Sequence, residues 1–237
     1  MRVKFRLLPT LAYLCLLPVL VSLGVWQLNR AVEKRALFKL QEQRLQSAPM
    51  TLNVGVKLEV ADQKYRSVFA KGHYDNAHQF LLDNQIHAGR AGYFVLTPFI
   101  LAEANQAVLV NRGWIPASGN RQQLPDVTVD AAPTTVIGRI NSFPSIGLKL
   151  VGADVPSAHW PAVVGVVDEV ILAHALGYPL MPFQVELDKQ AANGYLRDWQ
   201  QTTLMRPEQH TAYAVQWFAL ALLLSVLFFR FSLRKNP

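Results

Sequence analysis

The 237-residue chain is 51% hydrophobic and only 16% charged. Its formal charge of +7 would suit a nucleic-acid binder, but six of its 23 basic residues (Arg2, Lys4, Arg6, Arg230, Arg234 and Lys235) stand at the two ends, and the remaining 17 face 16 acidic ones. That leaves no basic stripe for nucleic acid, and a single cysteine, Cys15, excludes an intrachain disulfide, so any soluble part is held by its own core.

Residues 1–6 form a short basic start, and residues 7–28 are an uncharged apolar run. At about 1.5 Å per residue a helix of that length crosses a ~30 Å hydrocarbon core. Signal-peptide cores are shorter, roughly 7–15 residues. With only Ser22-Leu23-Gly24 as a weak cleavage site, a retained first transmembrane helix is expected. Pro18 inside it is tolerable in a membrane bundle, and Trp26 suits the outer interface. Ala12-Tyr13-Leu14-Cys15 lacks the small residue that lipidation needs before its cysteine, so Cys15 is expected to be a buried thiol. Residues 29–48 mix apolar and charged side chains without glycine or proline before Pro49. They predict an amphipathic extension of the same helix, lying on the membrane surface or under the soluble domain.

After Pro49 the period changes to two. Leu52, Val54, Val56, Leu58 and Val60 alternate as in a half-buried strand. Further strands are predicted at Tyr65–Tyr74, Gln79–Ile86, Tyr93–Ile100, Ala107–Trp114, Thr134–Ile140 and Pro182–Leu187. A helix is predicted at Val167–Leu176, stopped by Gly177 and Pro179, and Val155–Gly165 reads as a loop. Residues 49–206 are therefore expected to form an antiparallel β-rich domain, barrel-like or sandwich-like. The fold class is that of an α+β membrane protein in which two transmembrane helices flank this domain.

The second span is residues 207–229, followed by a basic tail, residues 230–237. Pro207 suits a first helical position and Glu208 the positive end of the helix dipole. The basic ends place both termini in the cytoplasm. The β-rich domain then lies outside, periplasmic in a bacterium, and the chain is a multi-pass protein of the inner membrane in contact with lipid. His210, Tyr213, Ala214 and Trp217 fall on one helical face near the outer boundary. His73, His78, His87, His159 and His174 lack the spacing of a zinc site. Arg112 is expected near a strand end, paired with a carboxylate or carbonyl, or else reaching a propionate. Nucleophile elbows, phosphate loops and zincin motifs are missing from the sequence, so no enzyme is indicated.

Four fragments occur in order between and within the two runs: LGVWQLNR (23–30), YRSVFAKGHYD (65–75), GYFVLTPF (92–99) with VLVNRGWIP (108–116), and HTAYAVQWFAL (210–220). Together they resemble the Surfeit-one family of cytochrome c oxidase assembly factors over nearly the whole chain, most weakly in Gln122–Ala162. The resemblance implies a role in haem a maturation or insertion into the catalytic subunit of the oxidase, with that subunit and other assembly factors as partners. It carries a haem-iron ligand onto His210 and an aromatic cofactor-binding position onto Trp217, with haem a as the cofactor. Read from the residues alone, His210 is equally an interfacial residue satisfied by water, and Trp217 an ordinary member of an aromatic belt. A scaffold that docks on oxidase subunits without haem remains the alternative.

Overall fold

The computed structural model describes residues 7–52, 59–102, 105–144, 152–199 and 205–232. The chain divides into two units, Met1–Leu40 with Gln201–Pro237, and Gln41–Gln200.

The first unit is helical. Helix α1, Leu7–Gln46, runs 40 residues without a break and contains Pro18. The apolar run and its charged extension are thus one rod, as the lack of glycine or proline after Gly24 predicts. Cys15, expected to be buried, is exposed on this helix. The second helix of the unit, Pro207–Ser232, opens with a half capping box: the Arg206 N–H donates to Gln209 Oε1 at 2.8 Å, three residues on. Both helices are long and apolar enough to cross a membrane.

The two helices pack through small residues. Gly24 and Ala31 are buried on α1, Ala214 and Ala221 on the C-terminal helix. A Cβ added at Gly24 would meet the Phe218 ring at 2.7 Å, so the bare backbone there leaves the space that this ring fills. Nearer the other end of the pair, Tyr13 stacks on Phe228 at 4.3 Å between centroids, and its hydroxyl lies 3.1 Å from Ser225 Oγ.

The second unit is built on one mixed sheet. Its elements are β1 (Met50–Thr51), α2 (Val60–Gln63), β2 (Ser67–Tyr74), β3 (Phe80–His87), β4 (Arg90–Leu101), β5 (Ala107–Pro116), β6 (Thr134–Asn141), β7 (Ala162–Val164), α3 (Glu169–Leu176) and β8 (Leu180–Leu187); the C-terminal helix is α4. Strands β2, β6, β8, β5 and β4 pair in that order, and β4 returns to β2, which closes a five-stranded barrel. The twelve-residue β4 makes closure possible. Its first half pairs with β3 through Arg90–Leu96, and its end pairs with β2 through Phe99–Leu101 on the same edge.

Val68, Phe99, Val108, Val110, Ile140, Phe183 and Val185 fill the barrel. On the outer face of β3 and β5, Leu172 and Leu176 of α3 cover Phe80, Leu82, Leu96 and Leu109. Every residue from Ala107 to Trp114 is therefore buried, which explains why β5 reads as a continuous rather than an alternating run. Helix α3 is capped by Asp168, which accepts from the Val170 and Ile171 amides, and ends at Gly177 with φ +78.

Three sequence expectations are corrected. The sheet is not purely antiparallel: β1–β2, β3–β7 and β5–β8 are parallel. Between β5 and β8 the chain passes through β6, β7 and α3, long enough for the crossover a parallel pair requires. The expected loop Val155–Gly165 contains β7, a three-residue strand too short to show a period. Of the strand expected from Leu52 to Val60, residues 53–58 lie outside the described residues; strand pairing is seen at Met50–Thr51, and Val60 begins α2.

Candidate functional site

His210 is the fourth residue of α4, and α4 turns it toward α1. His210 is 7% exposed, and its Nδ1 lies 2.7 Å from Oε1 of Gln27, itself 8% exposed. Gln27 sits on the same stripe of α1 as Gly24 and Ala31, at helical spacing. A carboxamide oxygen only accepts, so with Gln27 Oε1 facing the ring this contact fits the tautomer that carries its proton on Nδ1 and leaves the lone pair on Nε2. Nε2 has no hydrogen-bond partner among the described residues. It is not sealed either: among them, Arg66 Nε is the one buried side-chain nitrogen or oxygen without a partner.

Around this pair the helix start is tied down. Arg35 Nη2 donates to Thr211 Oγ1 at 3.0 Å, and Thr211 Oγ1 donates to the Pro207 carbonyl at 3.1 Å. Trp217 lies two turns further along α4 and is half-buried, while Tyr213 is exposed. The expected face is thus split: His210 and Ala214 meet α1, and Tyr213 looks outward. No ring contact joins His210 to Trp217 among the described residues. Trp26 is exposed, with the Arg30 guanidinium 5.9 Å from its ring.

Gln27 was not singled out by sequence reasoning. The signal was present, because it is a carboxamide inside an apolar run. Polar groups at such positions face a helix partner rather than lipid.

In the second unit, Arg112 lies within β5 rather than near its end, and its hydrogen-bond acceptors are all neutral. Its Nη1 donates to the Val127 carbonyl at 2.7 Å and to Gln79 Oε1 at 3.0 Å. Its Nε donates to the Asn193 carbonyl at 2.7 Å. Tyr195 lies over the guanidinium at 5.1 Å. Burial pulls the guanidinium below its ordinary pKa, and the neighbouring Tyr195 and Tyr74 oppose that pull. At 2% exposure it offers nothing to a propionate from outside. Arg112 is a clasp that ties β5 to the loops before β3 and after β8. Gly113 beside it has φ +113, and a Cβ there would meet the Leu196 carbonyl at 2.7 Å.

A smaller cluster surrounds Asp75, which accepts from Tyr178 Oη and pairs with His78 Nδ1, both at 2.7 Å. Burial raises the Asp75 pKa, but these bonds outweigh it and the net shift is downward. Among the described residues no three histidine, cysteine or acidic side chains gather as metal ligands.

A family model described as the SURF1 family matches residues 14–222. The chain belongs to the SURF1 family. A SURF1-like protein of Drosophila melanogaster is 26% identical over 264 residues, covering 99% of this chain and 81% of that protein. Surfeit locus protein 1 of Arabidopsis thaliana is 24% identical over 84% of this chain and 71% of its own length. The cytochrome oxidase assembly protein SHY1 of Saccharomyces cerevisiae is 33% identical over 94 residues, 39% of this chain and 24% of SHY1. The family match takes in Gln27, His210 and Trp217 together with the whole barrel.

Proposed function

We propose that this SURF1-family chain is a cytochrome c oxidase assembly factor that holds haem a at His210 and presents it to the catalytic subunit. The assembly role is supported by family membership and by the similarity to the yeast cytochrome oxidase assembly protein SHY1. The haem role is carried by one observation: His210 has one nitrogen bonded to Gln27 and the other without a hydrogen-bond partner among the described residues. A neutral imidazole with an available Nε2 is an ordinary axial ligand, and haem a would supply an iron that accepts it. Trp217, two turns on, would give the macrocycle a flat apolar surface, with its tail toward lipid and its propionates toward water. The helices would cross the membrane with both termini in the cytoplasm, a bacterial inner membrane being the setting the terminal charges fit. The β-rich unit would then lie on the outer side and meet the oxidase and its other assembly factors.

A second reading is favoured by the burial of the same ring. A histidine covered by α1 and bonded to Gln27 also serves as a polar clasp between two helices, in a scaffold that docks on the oxidase without haem.

Complementation separates the two. In a strain lacking its own copy, His210→Ala is expected to lower oxidase activity and oxidase-bound haem a roughly tenfold or more, since losing a ligand costs at least as much as losing its outer partner. Full restoration by His210→Ala would favour the scaffold. Trp217→Ala is expected to give a smaller loss.

A further inference from the structure

A neutral imidazole has one N–H, and its place decides which nitrogen can bind a metal. Histidines that ligate metals commonly donate the other N–H to a carbonyl or carboxylate, which fixes both ring orientation and tautomer. The geometry at the α1–α4 contact has this form. Gln27 Oε1 is 2.7 Å from His210 Nδ1, and both residues are buried, where a hydrogen bond is electrostatically stronger than in water. Position 27 is also held: Gly24 and Ala31, on either side of it, let the two backbones approach, and Arg35 fixes the first turn of α4 through Thr211.

We infer that Gln27 is the positioning residue for His210: it keeps the proton on Nδ1, leaves Nε2 as the iron-binding nitrogen, and sets the basicity of that nitrogen. The inference rests on the haem reading above and adds to it an acceptor on α1 that the ligand on α4 depends on. It also explains the carboxamide. A carboxylate at 27 would be a stronger acceptor but would carry a charge into an apolar helix pair. An apolar side chain would leave either tautomer free to form.

The test uses the full chain in detergent, first without haem. In protein labelled with 15N-histidine, with His210 assigned by difference from His210→Ala, the wild type is expected to show Nδ1 protonated and Nε2 bare. Gln27→Met is expected to show mixed tautomers. A protonated Nε2 in the wild type, as when Gln27 presents its amide N–H to the ring, would overturn the inference whatever haem does. The same proteins are then titrated with haem a. Gln27→Met is expected to bind roughly 10- to 100-fold more weakly than wild type. Gln27→Glu, which keeps an acceptor, should retain binding and raise the iron–imidazole stretching frequency of the ferrous form, as a more basic ring does. Equal affinity and an unshifted frequency in all three proteins would overturn the positioning role alone. No haem uptake by the wild type would overturn the haem reading and this role with it.

Discussion

Replacing Arg112 with leucine is expected to lower the stability of the β-rich unit by about 2–4 kcal/mol, because it strips the donor from buried neutral acceptors. The side chain is buried. Its removal leaves the Val127 and Asn193 carbonyls without their guanidinium donor, whereas Gln79 Oε1 keeps the Thr97 hydroxyl at 2.8 Å. Each buried orphan costs about 1–3 kcal/mol, partly offset because the guanidinium no longer has to be desolvated. For a unit of this size the melting temperature should fall by about 10 °C. Arg112→Lys keeps the charge but not the fork that reaches β5's neighbours on two sides, so it should lie between wild type and leucine. Thermal unfolding followed by near-ultraviolet circular dichroism reads both. A fall under about 2 °C for the leucine variant would mean that water replaces the clasp.

The second large effect is expected at Gly24. A Cβ would meet the Cε1 and Cζ atoms of Phe218 at 2.7 Å. Those atoms are the far end of a half-buried side chain, so Gly24→Ala is accommodated by a swing of the ring. Gly24→Leu is not, because a branched side chain occupies the volume where the helices meet. Overpacking of this kind costs about 1–3 kcal/mol, roughly a 5- to 150-fold weakening of the α1–α4 contact. The Tyr13–Phe228 stack and the Gln27–His210 bond would be lost with it. Spin labels at the exposed positions Val25 and Val215 should then report longer, broader distances for leucine and wild-type distances for alanine. Unchanged distances in Gly24→Leu would show that the small residues do not set the helix approach.

Much of this architecture was legible because periodicity is local. The end of the glycine- and proline-free run before Pro49 marked where α1 stops, and the turn residues bounded β2 to β6 closely. What sequence could not show was the partner of each strand. Parallel pairing of β5 with β8 depends on residues more than 70 positions apart, as Leu109 and Gln184 are. Barrel closure depends on β4 offering one edge to both β3 and β2, which no window of residues encodes. Strand β7 escaped because three residues cannot show a period of two.

At the candidate site, His210 and Trp217 could be named from their fragment, but the environment of the imidazole could not. Its face was read as an interfacial one shared with Tyr213, Ala214 and Trp217, whereas the helix pair turns the imidazole toward Gln27, 183 positions away. A carboxamide in an apolar run indicated that some partner existed; only the antiparallel packing of α1 against α4 says which. Arg112 shows the same limit from the other side. Its sequence neighbours suggested a strand end with a carboxylate or carbonyl in reach; the carbonyls are there, but Arg112 lies inside β5 and the loops that supply them could not be named.

The most direct measurement is the haem content of the purified chain from cells that make haem a, with wild type and His210→Ala compared by haemochrome spectrum at equal protein. The variant's helix pair is checked by the Val25–Val215 distance. The account predicts haem a in the wild type and a loss of roughly tenfold or more in the variant, with the helices still paired. Equal haem in both proteins would contradict it and would leave His210 as a clasp between two helices.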